Sequence, residues 1–558
     1  MLKRLFTKPS TQGLNSKMKD TDIDKEFSKL STLIDEGNFN DSFIGTNSLL
    51  KEIEKRPNKD GTYYCILFNI AGLFIDIGHR QPNMTAASHG RLILENNKDK
   101  ILEEVEEHTY YYNLSNAAAN FIEEKDPFKQ TFDSIEKLVD LKSLLWKSVK
   151  LANKKNGQSP PTFTVNLGNA LKQQFRIVEA LACYDEVNEQ GRDISQSWIN
   201  RSETLILLNQ VSSTYSIQML EQVKHGYEKV VEIDDAPPQW KEYYRDQVSA
   251  HQSIIDDRCE EEGITQSSHG KETTAKEYEA LSDFRKFCLN NNLALSEHGL
   301  YCKCAGSARD NLTIPTLGGL AGDFIVPMEM VLNRLKSEFS FSRRLYFEFI
   351  AQETENELQH ESCFSELFNE DLLGLDVEKL RTSFRLCFGI LDKIGVAICE
   401  LYDLYPPNGQ VSFQSFWQLS RGDRREKFEA VSNPGLLALY SIATDLNDRK
   451  DGEWAFFKTW RNDLEHKFVV VHKLDKPNDV YSSYDFIDEI VFIKEDEFID
   501  HLHRLLQITR SAIFSFVFTV RDKAMQETED GKEYISMNIL RQDYLQDSAL
   551  ISTMVKPS

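Results

Sequence analysis

An arginine, an amide and a histidine lie close together in one stretch of the sequence, Trp460–Lys467. The planar guanidinium of Arg461 can hold a phosphate through parallel hydrogen bonds. The imidazole of His466 can give or take a proton near neutral pH. No set of cysteines or carboxylates typical of a metal site accompanies them. These residue types suit metal-free cleavage of RNA, because RNA carries its own nucleophile, the 2′-hydroxyl.

The apolar pattern around this stretch predicts a helix. Residues five apart on a helix are separated by roughly 7.5 Å along the axis and about 140° around it. Arg461 and His466 therefore do not share a face, whereas Asn462 and His466, four apart, do. A complete site is easier to build where two copies of the helix meet, so the spacing favours a dimer.

The pattern has a structural alternative. The pattern of an arginine, four to six residues and a histidine occurs again at Arg245 and His251, where no other feature indicates chemistry. Arg461 and His466 could equally belong to a solvated helix face.

The stretch Arg461–His466 resembles the signature of the HEPN superfamily, in which a polar residue usually follows the arginine. Three upstream stretches are similar to a branch in which a HEPN domain follows a helical-repeat region: Leu332–Phe339, Ser342–Glu348 and Phe388–Ile394. The resemblance covers about residues 280–525. It implies a helical bundle, dimerisation through that bundle, and metal-independent endoribonuclease activity without a cofactor. It further implies that Arg461 and His466 are catalytic and that Asn462 is the polar third member.

The first half of the chain reads as helix after helix, with apolar residues three and four positions apart. A pentapeptide recurs in it, at Asn113–Ala117 and Asn166–Ala170, with a degenerate copy at Asn69–Leu73. Around the best copy, four residues match the packing positions of a tetratricopeptide repeat: Leu167, Gly168, Ala180 and Tyr184. We predict a stack of such helical hairpins, with a groove suited to a protein or peptide ligand. A generic helical bundle is the alternative.

Length and charge limit the function classes. A chain of 558 residues predicts two or three domains. The net charge of −23 argues against a broad phosphate-binding surface, so duplex DNA is not an expected partner. Nine scattered cysteines indicate reduced thiols rather than a disulfide framework. The apolar stretch Ser511–Val520 is too short to span a bilayer, and we expect a cytoplasmic protein without a membrane partner.

The predicted fold class is all-α, with tetratricopeptide-like repeats followed by a HEPN bundle. The predicted segments are a flexible N-terminus (1–20), the repeat domain (21–255), a linker (256–279), the HEPN domain (280–529) and a C-terminal tail (530–558). Within the bundle, long helices are predicted near 324–361, 372–404, 432–448 and 494–526. The motif helix is predicted to run on to His472, unless the β-branched residues after Phe468 end it earlier.

One further group of residues could bind a metal. Cys288, His298, Cys302 and Cys304 have the side chains of a zinc site. However, two cysteines one residue apart are an unusual ligand pair, and free cysteines are commonly buried hydrophobic residues. We therefore expect no bound metal, with zinc as the alternative.

The sequence thus predicts an endoribonuclease that cleaves RNA at a composite site of a homodimer or higher homo-oligomer. Its setting would be a regulated toxin or an antiviral-defence effector, with the repeat domain as sensor or scaffold. The alternative is a non-enzymatic repeat-protein adaptor that uses the HEPN bundle for dimerisation. A third reading, nucleotidyl transfer, would need an acidic metal-binding motif that this chain lacks.

Overall fold

The structure is a computed structural model, and it confirms the all-α fold class. Twenty α-helices and two short strands make up the regular structure of the residues it describes, a few short 3-10 turns aside. Those residues are 20–81, 83–122, 124, 126–191, 194–212, 216–263, 271–315, 322–352, 362–365, 371–473 and 489–529. The predicted tail, nearly all of the predicted flexible N-terminus, and residues 264–270 of the predicted linker lie outside them.

The chain divides into two compact units, one ending at Gln173 and one beginning at Gln174. The first contains eight helices in its described part: α1 (Asp20–Asp35), α2 (Phe39–Glu54), α3 (Gly61–Arg80), α4 (Met84–Asn96), α5 (Lys98–Leu102), α6 (Glu107–Ala119), α7 (Phe132–Asn156) and α8 (Pro161–Gln173). Helices adjacent in the chain pack on one another, as in stacked hairpins. The helical N-terminal region is consistent with the predicted repeats.

The recurring pentapeptides contact each other in this first unit. Asn166 of the last copy donates from Nδ2 to the Tyr112 hydroxyl at 2.9 Å and to Asn116 Oδ1 at 3.4 Å. The α3–α4 pair is close enough to require glycine at position 90, where a Cβ would lie 2.7 Å from Ile75. The repeated polar positions therefore connect successive copies, and small residues let their helices approach.

Helix α3 is the one described helix that is long and apolar enough to cross a membrane. Two thirds of its apolar window (67 %) is buried inside the first unit. This is the pattern of a core helix.

The second unit begins with six helices: α9 (Ile177–Glu189), α10 (Ser195–Ser212), α11 (Ile217–Glu232), α12 (Pro238–Glu262), α13 (Lys271–Glu279) and α14 (Asp283–Asn290). It continues with α15 (Ile325–Ile350), α16 (Leu375–Tyr402), α17 (Gly422–Ala430), α18 (Pro434–Asp445), α19 (Phe456–His466), the strands β1 (Phe468–His472) and β2 (Ile490–Lys494), and α20 (Glu495–Glu529).

The division after Gln173 does not coincide with the predicted boundary near residue 255. The predicted domain boundaries stay a prediction.

Helices α15, α16, α18 and α20 form the bundle in which the motif helix lies. The fully buried middle of α20 packs against the other three. Helix α18 approaches it most closely at Gly435, where a Cβ would lie 2.5 Å from the Ser515 carbonyl oxygen. A larger residue at position 435 would separate the two helices. Helix α19 packs on α16 at the side of this bundle.

A buried ionic network connects α9 with the bundle. Arg176 pairs with Glu179 (Nε–Oε2, 2.7 Å) and with Asp445 at the end of α18. Glu179 also pairs with Arg504 of α20. Because buried charges are costly unless paired, this network favours a single position of α9 on the bundle.

An irregular segment, residues 291–315, connects α14 with the loop before α15. Its backbone is held by buried arginines of the neighbouring helices. Arg343 donates to the Leu293 carbonyl at 2.6 Å, Arg510 to the Ala294 carbonyl at 2.8 Å, and Arg521 to the Thr313 and Ile314 carbonyls at 2.6 and 2.9 Å. These side chains replace the hydrogen bonds that helix or sheet would provide.

Asp310 is the acidic centre of this segment. It accepts from Arg343, from Arg285 at 2.9 Å and from the Leu295 backbone N–H at 2.7 Å. Burial would raise the pKa of Asp310, but the two guanidinium groups outweigh burial and hold the pKa well below its ordinary value.

We expect Asp310→Asn to lower the free energy of unfolding by about 3–5 kcal/mol, because it leaves buried arginines without their counter-charge. The carboxylate stabilises the fold above its unfolded-state pKa of about 3.9, and the stabilisation is lost as the pH falls toward the folded-state pKa. Urea unfolding from neutral to acid pH measures both effects. Asp423→Asn, which alters an exposed pair with Arg421, is the control and should change little.

Candidate active site

One face of α19 anchors the predicted catalytic helix to the bundle. Phe457 and Leu464 are buried. The Trp460 ring stacks on Phe498 of α20, with centroids 5.6 Å apart and planes inclined by 4°, and contacts Phe384 of α16. The aromatic contacts fix the rotation of α19, and Asn462 and His466 consequently face solvent.

The prediction that α19 could continue to His472 was wrong, because the helix ends at His466. Lys467 has an extended backbone (φ −125°, ψ 173°), and β1 begins at the next residue. Strand β1 pairs in parallel with β2, in register from Phe468 opposite Ile490. Valines 469–471 favour the pleated conformation because β-branched side chains restrict χ1 in helices. His466 therefore lies at a defined helix-to-strand junction.

Arg461 and His466 remain available for a ligand. His466 and Asn462 are exposed, and Arg461 is half-buried. Arg461 Nη1 donates to Asn462 Oδ1 at 3.3 Å. In the part of the chain that the structure describes, neither Arg461 nor His466 forms an ion pair with a carboxylate.

The acidic residues of the motif have other cationic partners. Glu465 lies 3.8 Å from Arg385, and Asp463 lies 3.6 Å from Lys467 (N–O distances). Lys467 also approaches Glu489, at 3.4 Å. The charges around the motif are therefore balanced without Arg461 and His466.

Arg461 belongs to a small cationic group that sequence reasoning did not identify. Burial raises the pKa of Asp392 on α16, and Arg461, Lys393 and Lys458 act on it in the opposite direction. Asp392 is fixed by the Phe413 backbone N–H, which donates to it at 2.9 Å. Asp392 is half-buried, and Lys393 is also paired with Glu338 at 2.9 Å. Arg461 and Lys458 form no ion pair with a carboxylate in the described part of the chain, and their positive charge suits a phosphate.

Of the residues around Arg461, the sequence indicates only Lys458. Lys458 precedes Arg461 by three positions and so shares its side of the helix. Asp392 and Lys393 lie on another helix, about seventy positions earlier in the chain, and no pattern relates them to the motif.

The geometry of a regular helix separates the two predicted catalytic side chains. Arg461 and His466 both lie within α19, so they are directed about 140° apart around its axis. Asn462 and His466 are one turn apart and share a face. Arg461 is instead near enough to Asp392 of α16 to lower the pKa of that carboxyl against the larger effect of burial, which raises it. One copy of α19 therefore presents the arginine and the histidine on different sides.

His472 is not part of this group. It lies on β1, is 3 % exposed, and contacts the Phe492 ring.

Three of the four residues in the possible metal set come together. The ligand atoms of His298, Cys302 and Cys304 all lie within 4.8 Å of one another. The fourth residue, Cys288, does not join them: it is buried on α14 and interacts electrostatically with Arg343. The hydrogen bond between the two close thiols raises the pKa of Cys302 and lowers that of Cys304.

Residues 321–523 match the family model for the LA2681-like HEPN domain. The chain therefore contains a HEPN domain. No significant match was found among the curated proteins or among the solved structures. The matched segment includes α19 with all three predicted catalytic residues, and it begins after Cys304.

We expect Trp460→Ala to destabilise the HEPN domain by about 2–4 kcal/mol, because it removes the ring that packs α19 against Phe498 and Phe384. Thermal unfolding of the full chain measures the change. Trp240→Ala, at a position 37 % exposed on α12, is the matched control. Equal midpoints for the two variants would contradict the anchoring role of Trp460.

Proposed function

We propose that this protein is a metal-independent endoribonuclease whose active site is built from Arg461, Asn462 and His466. The proposal rests on the exposure of these side chains, and on their lack of ion pairs with described carboxylates, within a HEPN domain. His466 is exposed, Arg461 lies near Asp392 and other cations, and neither Arg461 nor His466 forms an ion pair with a described carboxylate. A motif that served only as a solvated helix face would more commonly have its charges paired along the helix.

In the proposed reaction, the RNA 2′-hydroxyl attacks the adjacent phosphorus, and the bond from phosphorus to the 5′-oxygen breaks. His466 either takes the proton from the 2′-hydroxyl or gives one to the leaving 5′-oxygen. Arg461 binds the phosphate and stabilises the negative charge that develops on it, assisted by the positive charge of Lys393 and Lys458. The products are a 2′,3′-cyclic phosphate and a 5′-hydroxyl.

Asn462 has two candidate roles in this scheme. Its side-chain oxygen accepts from Arg461, which would hold the guanidinium in place for the phosphate. It also shares a helix face with His466 and could orient the imidazole or the same phosphate.

A dimer would complete the site. With the two side chains about 140° apart on one helix, two facing copies of α19 could bring Arg461 of one close to His466 of the other. The cleft would then contain two arginines and two histidines.

A nuclease that acts on cellular RNA needs restraint. The N-terminal helical region offers a surface for a regulatory protein or peptide, and a toxin or antiviral-defence role would fit such control. The cytoplasm, where RNA is accessible, is the proposed location.

Arg461→Ala and His466→Ala should each reduce cleavage of total cellular RNA by about 10²–10⁴-fold, the range for losing a general acid or base or a transition-state donor. Wild-type cleavage should persist in EDTA and leave 2′,3′-cyclic phosphate ends. A 2′-deoxy substitution at the cleaved position should block it. Gel analysis and end-group mapping give these readouts.

The second arginine–histidine pair provides the control. Arg245→Ala and His251→Gln alter an arginine and a histidine of similar spacing on α12 and should retain full activity. If the wild type is inactive on RNA in vitro, growth arrest on expression that both catalytic variants abolish would still support the enzyme. Arrest that is unchanged in the variants, or absent from all proteins, would favour the adaptor.

Co-expression of Arg461→Ala and His466→Ala chains with different tags tests the composite site. Tandem purification isolates the mixed dimer, which retains one arginine and one histidine on different copies. Its activity should exceed that of either single-variant protein. Activity no greater than the two variants show alone would mean that each chain acts by itself.

A further inference from the structure

We propose that His298, Cys302 and Cys304 form a structural zinc site that stabilises the irregular segment 291–315. The site would take a divalent cation of zinc type, with two thiolates and one imidazole as ligands. It lies outside the matched HEPN segment and on different elements from the proposed catalytic residues. In the part of the chain that the structure describes, no other group of at least three histidine, cysteine or carboxylate side chains converges in this way.

The distances are close to those of a tetrahedral site. Zinc binds sulfur at about 2.3 Å and nitrogen at about 2.0–2.1 Å, so neighbouring ligands lie roughly 3.4–3.8 Å apart. The three ligand atoms lie within 4.8 Å of one another, and a side-chain adjustment of about 1 Å would complete the geometry. Thiolate and imidazole together select zinc over magnesium or calcium, which prefer oxygen.

The backbone turns back on itself so that the ligands converge. The Cys302 N–H donates to the His298 carbonyl at 3.0 Å, and the Ser307 N–H donates to the Cys304 carbonyl at 3.2 Å. The first turn brings His298 and Cys302, four positions apart, close together, and the second turn fixes the backbone directly after Cys304. The unusual spacing of the cysteines is therefore compatible with a shared site, which the sequence did not indicate.

The imidazole is already oriented. His298 Nδ1 is hydrogen-bonded to the Tyr301 hydroxyl at 3.2 Å, which leaves the opposite ring nitrogen for a metal. A hydrogen bond to the non-ligating nitrogen is the usual way in which proteins fix a metal-binding histidine. Tyr301 would thus be a positioning residue.

One carboxylate lies near the site, although its oxygens are not within 4.8 Å of all three ligand atoms. Glu277 of α13 accepts from the Ala305 N–H at 3.1 Å and interacts electrostatically with Cys302. Either this carboxylate or a water molecule would complete four-coordination. If Glu277 takes part, the metal also connects α13 to the segment.

The hydrophobic cluster next to the site is small. The local hydrophobic cluster contains four buried residues, Leu281, Leu289, Ala294 and Ala308, and two of them are alanines. The buried arginines hold the backbone of residues 293–295 and 308–314, and Arg521 also pairs with Glu297, next to His298. A metal is a common substitute where an irregular segment cannot bury enough apolar surface.

The test measures zinc in the full-length protein, purified without a polyhistidine tag in a non-chelating reductant. Elemental analysis should give about one zinc per chain. Cobalt added to the metal-free protein should produce the absorption of a tetrahedral thiolate complex. The double variant Cys302→Ser/Cys304→Ser should lose the zinc. Removing the metal from the wild type should lower its thermal midpoint.

Two sets of controls separate this proposal from the nuclease. Cys288→Ala and Cys363→Ser should keep the zinc, because neither residue belongs to the site. Arg461→Ala and His466→Ala should also keep it, whatever their activity. Because zinc and cobalt are titrated into wild-type protein, a double variant that fails to fold does not obscure the result. Absence of stoichiometric zinc, or a Cys302–Cys304 disulfide found under the same conditions, would overturn the proposal.

Discussion

The second unit depends on buried arginines that hydrogen-bond to backbone lacking regular structure. An irregular segment inside a fold exposes carbonyl groups that neither helix nor sheet satisfies, and each unsatisfied group would cost free energy. Arg343, Arg510 and Arg521 donate to four such carbonyls between Leu293 and Ile314. Their charge is in turn offset by Asp310, which pairs with Arg343, and by Glu297, which pairs with Arg521.

The same helices carry the elements of the proposed active site. Helix α20 supplies Arg510 and Arg521 to the irregular segment and Phe498 to the Trp460 stack. Helix α15 supplies Arg343 and packs on α16, which carries Asp392 near Arg461. The position of the motif helix thus depends on a bundle whose buried arginines donate to backbone carbonyls and pair with carboxylates.

Two kinds of chemistry are assigned to two parts of this unit. The proposed nuclease site uses an exposed imidazole and a guanidinium, so that the phosphate supplies the opposing charge. The proposed zinc site uses thiols and an imidazole that converge on one another, so that a cation supplies the charge. The proposed nuclease residues are accessible to a polyanion, whereas the proposed zinc ligands converge on a single cation. Substitutions can therefore remove one function and leave the other.

The sequence by itself determined the fold class, because helical periodicity is a local property. The bundle helices predicted near 324–361, 372–404, 432–448 and 494–526 correspond to α15, α16, α18 and α20, with ends that differ by a few residues. Helix α15 ends at Ile350, and residues 353–361 of its predicted range lie outside the described residues. The resemblance also located the HEPN domain, because Arg461–His466 and the stretches upstream are contiguous patterns. The exact end of the motif helix was less certain, since helix and strand compete over a β-branched run and pairing with β2 decides the outcome.

Tertiary structure decided which residues meet. Asp392 and Lys393 join Arg461 through the packing of α16 against α19, and no sequence spacing encodes that approach. Cys288 was grouped with His298, Cys302 and Cys304 by residue type, but its place on α14 directs it toward Arg343 instead. Residue types and local periodicity are fixed by the chain, whereas convergence of side chains from distant positions depends on how the helices pack.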